Sequence, residues 1–162
     1  YGGSPENRIR FPVAVLRALA DAIGPGRVGL RISPGNPYNG MDPSDPEATF
    51  VPFLKAAAPL GLAYCHVVDM GLADVDTLAM VRGAFGGPVI ANNTLKPDSA
   101  AALLAEGRAE AVSFGRAFIA NPDLVERIRT GAPLAKPDFS LLYTGEERGY
   151  TDYPAMVAGE AA

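Results

Sequence analysis

A glycine and an arginine follow an apolar stretch late in the sequence, and together they could bind a phosphate group. Residues 111–114 have the composition of a short buried strand, and Gly115 and Arg116 follow directly. Glycine lets a backbone approach a ligand closely, and a planar guanidinium can make two parallel hydrogen bonds to phosphate. Asn121 and Pro122 then predict the cap and the first residue of a helix. The alternative is an ordinary turn with a surface arginine.

The elements that would position this turn repeat along the chain. A first helix is predicted from Phe11, Val15, Leu19 and Ile23, which recur every four residues and indicate its buried face. Short apolar strands, each followed by a helical pattern, are predicted at residues 28–33, 62–68, 89–91 and 111–114. Strands that are apolar on both faces and alternate with helices predict a parallel sheet with helices packed against it.

Four strand–helix units make half of an eight-stranded (β/α)8 TIM barrel, whose usual length is about 250 residues. We therefore predict an α/β fold in which residues 1–162 belong to one barrel domain, with residues 137–162 as a tail that packs on the barrel or on a neighbouring subunit. A flavodoxin-like open sheet is the alternative. It would need a glycine-rich turn after its first strand, and residues 33–35 are a poor one.

The barrel fold places ligands at the C-terminal ends of the strands, with phosphate often bound after the last two. Those two turns contain Asn92 and Asn93, and Gly115 and Arg116. Asparagine tolerates a left-handed backbone better than most residues, so an asparagine turn can direct N–H groups at an anion. The two turns together predict one phosphate site.

Composition restricts the other functions. Fourteen basic and eighteen acidic residues give a net charge of −4, which argues against a nucleic-acid surface. A single cysteine and a single histidine argue against a disulfide framework and a Cys/His metal site, and they suit a reducing, cytoplasmic location. No apolar run is long enough to span a membrane.

Six segments in the same order make the sequence resemble the old yellow enzyme family of flavin-dependent ene reductases. They include Tyr-Gly-Gly-Ser-Pro-Glu-Asn-Arg at the start and Phe-Gly-Arg-Ala-Phe near the fourth strand, and they occupy residues 1–11, 28–34, 45–50, 62–68, 114–124 and 149–154. The resemblance implies the C-terminal half of an FMN-binding (β/α)8 barrel, about strands five to eight. NADH or NADPH would reduce the flavin, which would then reduce the activated C=C bond of an α,β-unsaturated carbonyl or nitro compound.

The resemblance also implies roles for particular residues. Arg31 would lie against the pyrimidine edge of the flavin, where a fixed cation stabilises negative charge. Gly115 and Arg116 would hold the FMN phosphate. The family usually has a glycine-containing turn where this chain has Asn92 and Asn93, whose backbone N–H groups would serve the same phosphate.

Tyr143 matches an aromatic position at the flavin edge and the substrate pocket, although the residues around it differ from the family pattern. The sequence predicts His66, inside the second strand, to be a packed or hydrogen-bonded structural residue. The long loop after the first strand carries Tyr38, Asn39 and Met41, which could line a substrate pocket or lie on the surface without contacting a ligand.

The resemblance places the proton donor and the His/Asn pair for the substrate carbonyl in the N-terminal half of the barrel, so no catalytic residue is predicted here. The sequence starts at Tyr1 in what reads as a loop, which predicts a piece of a longer or split protein. Its partner would be the N-terminal half of the barrel, and the sequence leaves open whether the protein also forms a homo-oligomer. The alternative function is a non-catalytic half-barrel scaffold that pairs with itself or with a complementary half.

Overall fold

The first predicted helix forms, and Ser4 caps it. In the computed structural model, which describes residues 1–41, 45–71, 74–92, 94–143 and 146–156, helix α1 is Pro5–Ile23. The Ser4 hydroxyl accepts a hydrogen bond from the Asn7 backbone N–H at 3.4 Å. The described residues divide into two units, Tyr1–Ser113 and Phe114–Ala162.

The first unit continues as alternating strands and helices. They are β1 (Gly29–Ile32), α2 (Pro46–Ala57), β2 (Tyr64–Val68), α3 (Thr77–Phe85), β3 (Val89–Asn92), α4 (Pro97–Ala105) and β4 (Ala111–Ser113). The four strands are parallel and pair in chain order, β1-β2-β3-β4. In a (β/α)8 barrel, strands that are consecutive in the chain are neighbours in the sheet, as they are here. In a flavodoxin-like sheet the strand order reverses direction at one point, so the observed order favours the barrel.

The two faces of the sheet differ, so the prediction that the strands are apolar on both faces was wrong. One face is buried among the helices and packs against residues such as Leu54 of α2 and Val81 of α3; it carries Leu30, Ile32, Cys65, Val67, Val89 and Ala91. Successive side chains of a strand point to opposite faces. The other face is partly or fully exposed and carries Arg31, His66, Asn92 and Ser113. Alternation in strands this short was easily mistaken for a continuous apolar run.

Helix α1 buries a different stripe from the predicted one. Phe11, Val15, Leu19 and Ile23 are 41–59% exposed. The buried side chains on α1 are those that face the core of the unit, namely Val13, Leu16 and Ala20. The helix therefore has apolar residues on two sides, and spacing alone did not distinguish the side that packs on this chain.

The second unit begins with two short helices, α5 (Arg116–Ala120) and α6 (Leu124–Thr130). The prediction that Asn121 caps a helix starting at Pro122 was wrong. Asn121 follows the last residue of α5, and its buried side-chain amide donates to the Ala117 carbonyl oxygen at 2.8 Å. The Asn121 side chain is hydrogen-bonded to main-chain groups of Ala117 and Ala135, which lie outside α6, so it does not cap that helix.

The C-terminal tail folds back onto α6 within this unit. The Met156 N–H donates to Asp123 Oδ2 at 2.8 Å, and the Asp138 N–H donates to the Tyr153 hydroxyl at 2.7 Å. Contact of residues 137–162 with a barrel or with another subunit stays a prediction. Among the described residues, no helix has the length and apolarity needed to cross a membrane.

Candidate functional site

Each strand of the sheet contributes one polar side chain to a cluster on the exposed face. The cluster consists of Arg31 from β1, His66 from β2, Asn92 from β3 and Ser113 from β4. Asn92 and Ser113 are the last residues of their strands, so the cluster extends to the C-terminal edge of the sheet. Parallel strands bring these residues together because all four strands end at the same edge.

The arginine and the histidine are directly opposed on neighbouring strands. Arg31 pairs with His66 in the register of β1 and β2. Arg31 Nη1 lies 2.6 Å from His66 Nδ1 and 3.2 Å from Nε2. His66 Nε2 in turn lies 2.7 Å from Ser113 Oγ, so the imidazole links β1 to β4.

Asn92 connects the other side of the cluster. Its Nδ2 donates to Ser113 Oγ at 2.9 Å and to the Ser113 carbonyl oxygen at 3.0 Å. Its Oδ1 accepts from Arg31 Nη2 at 3.5 Å. The four side chains therefore form a closed ring of contacts, in which the Arg31 guanidinium lies between His66 and Asn92.

The electrostatics of the cluster leave one positive charge on the exposed face. Burial of the imidazole, and next the positive charge of Arg31, hold the pKa of His66 below its usual value. His66 is then neutral at pH 7, and Asn92 is neutral at any pH. Arg31 is hydrogen-bonded to neutral partners and keeps its charge for an anionic or electron-rich ligand.

The predicted phosphate residues of the fourth turn belong to the second unit. Gly115 precedes α5, and a Cβ placed there would meet nothing within 4 Å, so its backbone is open to approach. Arg116 is the first residue of α5, and its guanidinium carbon lies 6.0 Å from the centroid of the Phe139 ring. Both residues are exposed.

The remaining predicted residues are Asn93 and Tyr143. Asn93 lies outside the described residues. Tyr143 is 89% exposed and has a φ of +65°, and its backbone N–H donates to the Tyr150 hydroxyl at 2.7 Å. A positive φ is uncommon for a bulky residue and is often found at functional positions.

An open pocket of about 370 Å³ lies beside the loop after β1. It is lined by Asn36, Pro37, Tyr38, Asn39 and Met70. Of the three loop residues predicted to line a substrate pocket, Tyr38 and Asn39 line this one and Met41 does not, and substrate binding here stays a prediction. Among the residues that the structure describes, no group of His, Cys, Asp and Glu side chains could hold a metal ion.

Sequence analysis missed two members of the cluster as functional candidates. His66 was expected to be hydrogen-bonded, which is confirmed, but its contact with Arg31 was not anticipated. Ser113 was not singled out at all. Alternation along the strands could have identified both residues. His66 and Ser113 occupy positions that alternate with apolar residues of the buried face, which places them on the opposite face of the sheet.

Comparisons with known proteins identify relatives of this chain. A family model described as "NADH:flavin oxidoreductase / NADH oxidase family" matches residues 1–135. A curated relative from Leishmania infantum, named as a probable flavin mononucleotide-dependent alkene reductase, is 41% identical over 161 residues. The alignment covers 96% of this chain and 43% of that protein. The chain spans about half the length of the curated relatives it matches.

Solved structures agree in fold. The old yellow enzyme from Trypanosoma cruzi superimposes with a TM-score of 0.88 at 41% identity, covering 95% of this chain and 42% of that one. Morphinone reductase in complex with tetrahydroNAD superimposes with a TM-score of 0.90 at 42% identity, covering 99% of this chain and 44% of that one. The predicted α/β fold, part of a TIM barrel, and the predicted resemblance are both confirmed.

Proposed function

This chain belongs to the NADH:flavin oxidoreductase / NADH oxidase family, which includes the old yellow enzymes, and we propose that it is the C-terminal part of an FMN-dependent ene reductase. The observation that carries the proposal is the charged guanidinium of Arg31, held by neutral partners on the exposed face of the parallel sheet. A TIM barrel binds its ligands at the C-terminal ends of the strands, and the cluster around Arg31 extends to that end of the sheet.

The donors on this face suit a flavin. Arg31 offers guanidinium N–H groups to the oxygen and nitrogen atoms of the pyrimidine edge, and its charge stabilises negative charge there. Bound FMN would supply the redox chemistry, taking hydride from NADH or NADPH and passing it to the β-carbon of an α,β-unsaturated carbonyl or nitro compound. Arg31 itself binds, orients and contributes charge.

The phosphate of the cofactor is assigned to the two turns predicted from the sequence. Gly115 allows close approach because its Cβ position is empty, and the adjacent Arg116 is exposed and charged. Asn92 and Asn93 would contribute backbone N–H groups. Tyr143 is proposed to contact the flavin edge.

A complementary N-terminal half of the barrel is the proposed partner. The chain spans about half the length of its relatives, and α1 exposes the apolar stripe of Phe11, Val15, Leu19 and Ile23; both facts support this partner. Within the described residues, β1 and β4 each pair with a strand on one side only. A second chain that covers these surfaces would also bring the proton donor and the groups that bind the substrate carbonyl.

Other details of the proposal are less specific. Either NADH or NADPH could serve as hydride donor, and a small activated alkene is the proposed substrate. The proposed location is the cytoplasm, which suits the buried free thiol of Cys65. We also propose that the assembled protein forms a homo-oligomer.

The test is denaturing liquid chromatography of the purified protein with intact-mass and flavin detection. A second chain of similar size together with the mass of FMN supports the full proposal. FMN with this chain as the sole polypeptide supports the cofactor and contradicts the proposed partner. A single species of 16.9 kDa without flavin overturns the enzyme proposal and favours the half-barrel scaffold.

A further inference from the structure

We propose that His66 is a positioning residue, whose neutral imidazole accepts a hydrogen bond from Arg31 and thereby fixes the orientation of the guanidinium. The inference rests on the proposed function, in which Arg31 contacts the flavin. It adds a residue that sequence analysis assigned only a structural role, and it predicts that the site depends on pH.

The direction of each hydrogen bond follows from the donors and acceptors present. A guanidinium carries only donors, so the atom of His66 closest to Arg31 Nη1, Nδ1 at 2.6 Å, must offer a lone pair. In a neutral imidazole the proton is then on Nε2, which lies 2.7 Å from Ser113 Oγ and donates to it. The opposite tautomer would direct an N–H at the guanidinium.

The rest of the ring holds the imidazole in this orientation. Ser113 Oγ also accepts from Asn92 Nδ2, and Asn92 Oδ1 accepts from the second terminal nitrogen of Arg31. The guanidinium is therefore held at two of its nitrogen atoms by acceptors on two different strands. Two such contacts define the plane of the guanidinium, which a single contact would leave free to rotate.

Protonation of His66 would disrupt this arrangement. It would replace the Nδ1 lone pair with an N–H and place a second positive charge beside Arg31. The imidazole contacts Arg31 from β1 and Ser113 from β4, and its register partner on β3 is Ile90; Asn92 of β3 and Tyr64 of β2 lie on the same face of the sheet, and Arg31 is the charged residue of this set. The lowered pKa of His66 keeps the imidazole neutral at pH 7, and the contact fails as the pH falls through that pKa.

The first measurement needs no cofactor. His66 is the single histidine of the sequence, so nitrogen-15 NMR of this chain labelled at histidine reports one imidazole. We expect the proton on Nε2 and a pKa below about 6.5, the value for an unperturbed histidine. Arg31→Gln removes the neighbouring charge and should raise that pKa, whereas Arg27→Gln, before the start of β1, should leave it unchanged.

The second measurement is FMN affinity by fluorescence quenching in variants of His66. His66→Leu removes the acceptor and should weaken FMN binding about tenfold. His66→Asn restores an oxygen acceptor near the Nδ1 position and should recover most of the affinity. Ile90→Val alters packing at the residue paired with His66 on β3 and should change little, which separates positioning from a general packing defect.

The outcomes separate this inference from the proposed function. A proton on Nδ1, or equal FMN affinity in the wild type and His66→Leu, overturns the inference and leaves the proposed function standing. Failure of the wild type to bind FMN overturns the proposed function even if the tautomer is as expected. The expected tautomer together with rescue by His66→Asn supports both.

Discussion

Asn121 and Ala135 are joined by two hydrogen bonds across fourteen residues of the second unit. Asn121 Nδ2 donates to the Ala135 carbonyl oxygen at 3.0 Å, and Asn121 Oδ1 accepts from the Ala135 N–H at 2.8 Å. The same Nδ2 donates to the Ala117 carbonyl oxygen in α5. One buried amide therefore ties α5, which begins with the proposed phosphate ligand Arg116, to the chain after α6.

Replacing Asn121 with leucine should destabilise the second unit. Leucine has a similar volume but leaves the main-chain groups of Ala135 and Ala117 without their partner. A hydrogen bond contributes about 0.5–1.5 kcal/mol net, and water can reach the exposed Ala135, so we expect a loss of about 1–3 kcal/mol. Urea denaturation measures the loss. Asn7→Leu, at an exposed position of α1, is the matched control and should change stability by less than about 0.5 kcal/mol.

The flavin contact proposed for Arg31 can be tested with Arg31→Lys. Lysine keeps the charge but cannot make the paired hydrogen bonds of the planar guanidinium. We expect about a tenfold loss of affinity for both FMN and riboflavin, because the contact is with the ring. Equal affinities in the variant and the wild type would contradict the assignment, and Arg27→Lys, before the start of β1, should match the wild type.

The phosphate contact proposed for Arg116 predicts a different pattern. Arg116→Ala should weaken FMN about 10- to 100-fold and leave riboflavin, which lacks the phosphate, unaffected. Arg129→Ala removes an exposed arginine of α6 that pairs with Glu126, so it serves as the control and should leave both affinities unchanged. Parallel losses for FMN and riboflavin would place Arg116 elsewhere in the site.

The exposed stripe of α1 should be needed for assembly rather than for folding. Leu19→Lys places a charge in the proposed interface, and we expect it to abolish co-purification with the complementary chain while leaving the circular dichroism of this chain unchanged. Leu104→Lys, at a similarly exposed position of α4, should retain the partner. Loss of the partner in both variants would mean that added charge, rather than the α1 surface, is responsible.

The thiol of Cys65 should report unfolding. Its side chain is fully buried in β2, and burial raises the pKa of the thiol to about 12. The unfolded-state pKa is about 8.5, so this group favours the folded state below about pH 8.5 and loses that contribution as the pH rises towards 12. We expect a thiol reagent to modify native protein slowly at pH 8 and unfolded protein at once. Rapid reaction of the native protein would contradict the burial.

Much of the fold could be predicted from the sequence because local signals agreed with the tertiary structure. Each of the four apolar runs forms a strand, and a helix follows each of them. Ser4 caps α1 because its hydroxyl accepts a hydrogen bond from the Asn7 N–H, which has no partner within the first turn of the helix. Six motifs in the same order identified the family, and the family model that matches residues 1–135 confirms it.

Tertiary contacts decided what local spacing could not. The stripe containing Leu19 and the stripe containing Leu16 both have helical spacing, and only packing against the core selected the second. Asn121 looked like a cap, but hydrogen bonds to Ala135 hold its side chain instead.

Sequence by itself determined that Arg31 stands on a strand, and its resemblance to a known family suggested a role. It could not show that His66, thirty-five positions later, would oppose Arg31 at 2.6 Å. That contact depends on the register of two parallel strands, which the intervening helix and the packing of the buried face determine together. The sequence therefore determined the residue types, whereas the closed ring of Arg31, His66, Ser113 and Asn92 forms only when the four strands pair in the sheet.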